Sequence, residues 1–180
     1  AKAVETIARE AIMIDMDTGT SLFEKRADEM MSPASMSKLM TLYLLFQELK
    51  EGDLKLDDQF LVSERAWRLG GAKSGSSTMF LKPQKSVKIV DLIRGIVIQS
   101  GNDACIVVAE NLAETETLFA EAMNKKAVEL GMLNSVFKNS TGWPHPEHKM
   151  SSRDLTILSK RIITDFPEYY FYFKEKYFFL

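Results

Sequence analysis

Residues 33–52, PASMSKLMTLYLLFQELKEG, constrain the fold more than any other stretch. Proline marks a turn, the run that follows is helical in pattern, and Lys50, Glu51 and Gly52 form a cationic last turn with a glycine stop. Leu39, Met40, Leu42, Leu44 and Leu45 leave this helix apolar around most of its girth, so it belongs at the centre of a domain and needs cover on all sides. A lysine one turn into such a helix is anomalous. An ammonium among buried side chains is costly unless it is paired or gives up its proton.

The rest of the chain supplies the cover. AREAIMIDMD, a Thr18-Gly19-Thr20 turn and SLFEKRAD predict a hairpin over about residues 9–28. LGGAKSGSST, residues 69–78, has loop composition. A second apolar helix, roughly Val87 to Ile98, meets QSGND, and another helix begins at once with ACIVVAENLA, which places Ser100, Gly101 and Asn102 at a junction between buried helices. TETLFAEAMNKKAVELG is an amphipathic helix closed by Gly131, and SSRDLTILSKRIITDF is a serine-capped helix ended by Pro167. The helical region thus runs over about 33–166, and the aromatic EYYFYFKEKYFFL predicts a terminal strand over about 168–179. A sheet of two or three strands cannot cover that much helix, so a single domain whose sheet is incomplete within residues 1–180 is expected, with the chain stopping early.

Composition narrows the function. With 46% hydrophobic and 27% charged residues, the 180-residue chain has the profile of one folded domain. A net charge of −2 leaves no basic field for nucleic acid, and the apolar runs are too short and interrupted to span a bilayer. The lone Cys105 carries no disulfide information, and AKAVETIARE shows no signal peptide, as in either a processed secreted protein or a cytosolic one.

Ser35 and Lys38 are three residues apart and project from one helix face. A serine hydroxyl is a weak nucleophile until a base takes its proton, and a lysine whose pKa is lowered by burial can be that base. The first helical turn adds free N–H groups that favour a developing anion. The spacing alone is uninformative, since Ser135 and Lys138 repeat it in a polar, loop-like stretch; context singles out the first pair. Ser100-Gly101-Asn102 is the only S-x-N. Its hydroxyl suits proton relay and its amide suits a peptide substrate, although Ser and Asn are also ordinary helix caps.

SPASMSKLMT, GSSTMFLKP, LIRGIVIQSGNDACIVVAE, LGMLNSVFKNSTGWP and SSRDL resemble, in order and spacing, the low-molecular-mass penicillin-binding proteins that are serine D-alanyl-D-alanine carboxypeptidases. The resemblance implies an α/β (α+β) fold of the β-lactamase/transpeptidase type, an antiparallel sheet with a large helical subdomain. It implies that Ser35 attacks the penultimate D-alanine of a peptidoglycan stem peptide, that Lys38 accepts the proton, that Ser100 returns one to the leaving amine and that Asn102 holds the substrate amide. It also implies acylation by β-lactam antibiotics, no cofactor or metal, and an extracytoplasmic, periplasmic protein held to the membrane through a segment absent from this chain. The family's later K-T-G motif is not reached. Lys73-Ser74-Gly75 precedes S-G-N and is rejected as its substitute. Without K-T-G the 180 residues alone are expected to bind and hydrolyse poorly.

Alternatives remain at this stage. A class A β-lactamase needs a deacylating glutamate, and Glu147 has no suitable surroundings. An endopeptidase of the same fold would use the same residues. His145, Glu147 and His148 suggest metal hydrolysis only weakly, because Pro144 and Pro146 break the helix that would converge them. An inactive binding module, with Met30, Met31, Met36 and Met40 as an adaptable surface, is the non-enzymatic alternative.

Overall fold

The computed structural model describes residues 4–179. It opens with the antiparallel hairpin of β1 (Ala11–Ile14) and β2 (Ser21–Lys25), with Ala11 opposite Lys25 and Met13 opposite Phe23. The Asp15 carboxylate holds its turn by accepting from the Thr18 N–H and hydroxyl. A 3₁₀ turn at Ala34–Ser37 then leads into α1 (Lys38–Glu51), which Gly52 closes in the left-handed region.

Beyond α1 come β3 (Gln59–Leu61), α2 (Glu64–Gly70), a 3₁₀ turn at Ala72–Ser74 and β4 (Ser86–Lys88), which pairs antiparallel with β3. α3 (Ile89–Gln99), α4 (Asn102–Ala113), α5 (Glu116–Leu130) and α6 (Ser152–Asp165) complete the helical body. Met40, Leu45 and Phe46 of α1 are fully buried, as the apolar girth of that helix requires. Every residue of α4 from Asn102 to Ala109 is buried, and α4 touches α1, α2, α3 and α5. The core therefore centres on α1 and α4. Ser63, Thr115 and Ser151 cap α2, α5 and α6 by accepting from Ala66, Leu118 and Asp154 N–H groups, each worth about 1 kcal/mol.

The described strands make two separate two-stranded sheets. The terminal strand expected over 168–179 is not formed. Pro167 starts α7 (Pro167–Tyr170), a 3₁₀ turn follows at Phe171–Lys174, and residues 175–179 are irregular. Pro167 ends α6, yet its missing N–H and fixed φ also suit the first position of a new helix. Phe166, Tyr169 and Phe173 then fall at helical spacing on Phe46, with ring centroids 5.8, 5.2 and 6.4 Å away. Aromatics at almost every position satisfied a period of two and of three to four alike. Packing against α1 chose the second.

Candidate active site

Ser35 lies in the 3₁₀ turn before α1, and Lys38 is the first residue of the helix proper. Side chains three apart eclipse in 3₁₀ geometry, which brings Lys38 Nζ to 3.1 Å from Ser35 Oγ. Ser35 is exposed whereas Lys38 is only 5% exposed, and that hydroxyl is its one hydrogen-bond partner among the described residues. Among the described residues no carboxylate pairs with it, and burial lowers its pKa from the ordinary lysine value. Ala34, just before the serine, has φ of 48°, a strained conformation of the kind found at functional turns.

Ser100 closes α3 with φ of 54°, and its buried Oγ has no partner among the described residues. Ser35, Lys38 and Ser100 line one open cavity of about 340 Å³, whose apolar side is Leu42, Val97 and Phe173. Asn102 begins α4 and lines a neighbouring cavity of about 390 Å³. Its N–H donates to Ser77 O at 2.9 Å and its Nδ2 to Ser76 Oγ at 3.0 Å, leaving Oδ1 buried and unpaired.

Sequence reasoning missed the residue that organises this wall. Asp103 is fully buried and accepts from Thr78 Oγ1 at 2.8 Å, Met79 N at 2.8 Å, Leu81 N at 3.0 Å and Ala104 N at 2.9 Å. With Met79 and Leu81 turned inward, Phe80 between them is forced outward at φ of 61°, 67% exposed. Gly70 lets α2 approach, since a Cβ there would lie 2.3 Å from Asp103 N. The available signal was an acidic residue at the start of a buried helix, where the dipole favours it.

The opposite wall is the segment 139–143. Thr41 Oγ1 donates to Ser140 O at 2.7 Å, and Gly142, at φ of 81°, presses on the serine turn so closely that a Cβ would lie 1.9 Å from Ala34 O. His148 is buried, accepts the Lys138 N–H on Nδ1 and has its pKa pushed down to about 4 by burial. His145 instead accepts the Glu147 N–H, and Glu147 pairs with Lys138 at 3.3 Å, so these three side chains do not converge. Lys73 lies over the Trp67 ring at 5.0 Å. Cys105 is fully buried, and desolvation pushes its thiol up to about 12, far from reactive.

Fold and geometry together define a protein of the β-lactamase/transpeptidase-like class, with a serine–lysine pair at the head of its central helix. The chain belongs to the S11 peptidases: the model of that family, described as D-alanyl-D-alanine carboxypeptidase, matches residues 1–180. The D-alanyl-D-alanine carboxypeptidase DacC of Escherichia coli K12 is 43% identical over 170 residues, 94% of this chain and 42% of that protein. Penicillin binding protein 5 from Haemophilus influenzae superposes with a TM-score of 0.95 at 33% identity, covering all of this chain and 52% of the other. Penicillin-Binding Protein D2 from Listeria monocytogenes, solved in an ampicillin-bound form, gives 0.76 at 26% identity, over 89% of this chain and 63% of that one. The chain thus spans under half the length of the DacC protein it matches.

Proposed function

We propose that the protein is a serine D-alanyl-D-alanine carboxypeptidase that removes the terminal D-alanine of peptidoglycan stem peptides and is acylated by β-lactams. The observation that carries this is a buried lysine with no carboxylate partner among the described residues, 3.1 Å from an exposed serine hydroxyl. Neutral Lys38 takes the Ser35 proton as Oγ attacks the carbonyl of the penultimate D-alanine. The C–N bond breaks, Ser100 relays a proton to the departing amine, and water later releases the acyl group from Oγ. Asn102 holds the substrate amide. Family membership and the ampicillin-bound relative support this chemistry.

Such an enzyme works outside the cytoplasmic membrane, where its substrate is. No described helix is long and apolar enough to cross a membrane. K-T-G does not occur in these 180 residues, and a backbone donor to the oxyanion is worth about 2.7–4 kcal/mol, so the 180-residue chain by itself should acylate slowly.

Intact-mass spectrometry after incubation with a penicillin tests the assignment. A covalent adduct absent from Ser35→Ala is expected; an adduct that survives the substitution would place the nucleophile elsewhere. Parallel assays on a linear pentapeptide and a crosslinked dimer separate carboxypeptidase from endopeptidase action, and faster cleavage of the dimer would overturn the carboxypeptidase assignment.

A further inference from the structure

Phe80 stands in a conformation that a bulky side chain rarely adopts, with φ of 61°, and its ring faces solvent. Asp103 accounts for the backbone, because it grips the N–H groups of Met79 and Leu81 on either side. It does not account for the ring, since glycine or asparagine would sit there with less strain. The ring borders a groove of about 540 Å³ between the segment 79–88, Gln59 of β3 and Asp91 of α3. Ser35, Lys38, Ser100 and Asn102 lie outside its lining. Three lysines, Lys82, Lys85 and Lys88, face one carboxylate, Asp91, so the lining carries an excess of positive charge. Lys88 pairs with Asp57 at 3.2 Å, whereas the exposed ammonium groups of Lys82 and Lys85 have no carboxylate partner among the described residues. An exposed phenylalanine alone means little. One held under strain beside a cationic groove points to a ligand with an apolar face and negative charge.

We propose that this groove binds the glycan strand of peptidoglycan, with Phe80 against the C–H face of a sugar ring and Lys82 and Lys85 meeting carboxylates of the stem peptides along the strand. The proposal rests on the carboxypeptidase reading, which supplies the polymer. The reach is right. Ser77, whose carbonyl accepts the Asn102 N–H, is three residues from Phe80, at most about 11 Å of extended chain. The four residues of a pentapeptide stem that precede the cleaved bond span about 13–14 Å when extended. The concave shape and the Asp91 carboxylate favour a narrow chain over the flat anionic face of a bilayer. A polymer held at the active site and in the groove binds more tightly than a free stem peptide, because the second contact forms at high effective concentration. A soluble peptide does not use the groove, and its turnover is independent of it.

The test is cosedimentation of the full-length protein carrying Ser35→Ala with purified insoluble peptidoglycan, beside vesicles of phosphatidylglycerol and phosphatidylethanolamine. Adding Lys82→Gln and Lys85→Gln should weaken peptidoglycan binding about fivefold, and Lys82→Glu with Lys85→Glu about twentyfold. With Ser35 restored, both pairs should leave penicillin acylation and hydrolysis of a soluble pentapeptide within about twofold, which also shows that the variants fold. Peptidoglycan binding unchanged by either pair would overturn the groove. A loss confined to the vesicles would overturn it too, and would make the partner a membrane surface. A loss of peptidoglycan binding matched by an equal loss of acylation in both pairs would place the lysines' effect at the active site and overturn it as well. If the protein with its lysines intact neither takes penicillin nor cleaves the pentapeptide, the carboxypeptidase reading falls, and cosedimentation still decides whether the groove holds the polymer.

Discussion

The chain contains the serine–lysine spacing twice, and the two copies fold into opposite things. Ser35 and Lys38 sit in a 3₁₀ turn entering a helix, face each other at 3.1 Å, and leave the lysine buried without a counter-ion among the described residues. Ser135 and Lys138 lie on either side of Val136, which bridges to Lys149, in a segment outside any helix. Ser135 Oγ donates to Asp154 at 2.6 Å, and Lys138 reaches out to Glu147. One copy leaves its lysine without a carboxylate among the described residues, and the other satisfies both groups structurally. The same spacing gives opposite surroundings, set by backbone type and by whether a carboxylate competes.

The contrast breaks most easily in acylation. Ser35→Ala should slow formation of the penicillin adduct by about a thousandfold or more, whereas Ser135→Ala should leave it unchanged. A lost adduct in Ser135→Ala with an unaltered melting temperature would erase the distinction. Lys38→Met should reduce acylation by roughly 10²–10⁴ and Lys138→Met should not. Because burial lowers the Lys38 pKa and the proposed mechanism uses the neutral amine, the acylation rate should climb with pH through that lowered value and then level. A rate falling over the same range would identify the ammonium as the active species.

Stability should show the reverse order of sensitivity. Asp154 is buried and accepts from Ser135 Oγ and Asn134 N, so Asp154→Ala should cost about 2–4 kcal/mol in urea titration, against about 0.5 or less for Ser35→Ala. His148, beside Lys138, titrates near 4 in the fold against 6.5 when free. The unfolded chain therefore gains a proton first as the pH drops. Stability should be flat above about 6.5 and fall by on the order of 2–3 kcal/mol toward pH 4, a loss that His148→Gln should flatten. The smallest effect is a gain: Lys38→Met should stabilise by on the order of 1 kcal/mol by replacing a buried amine with an apolar chain of similar length.

The parts legible in the sequence were those whose signal is local. A lysine interrupting an apolar helix announces itself, and two apolar helices abutting at QSGND place Ser100 and Asn102 without any distant contact. α2, β3 and β4 were not foreseen, because three-residue strands separated by a helix and a loop carry almost no periodicity. Asp103 was missed for a related reason. Three of its four donors come from Thr78, Met79 and Leu81, more than twenty residues away, at and just past the end of a stretch whose glycine and serine content reads as loose loop. The aromatic tail was misassigned because its density erased the period that separates strand from helix.

The Asp103 anchor ties two properties that might have varied separately. The wall from Thr78 to Leu81 and the amide of Asn102 hang from adjacent residues of one helix start. A substitution that loosens the wall also displaces Asn102, the group proposed to hold the peptide. On the proposed carboxypeptidase reading, escape from a β-lactam and retention of the natural reaction draw on the same carboxylate along this side of the cleft, so resistance arising here would carry a fitness cost from its first step.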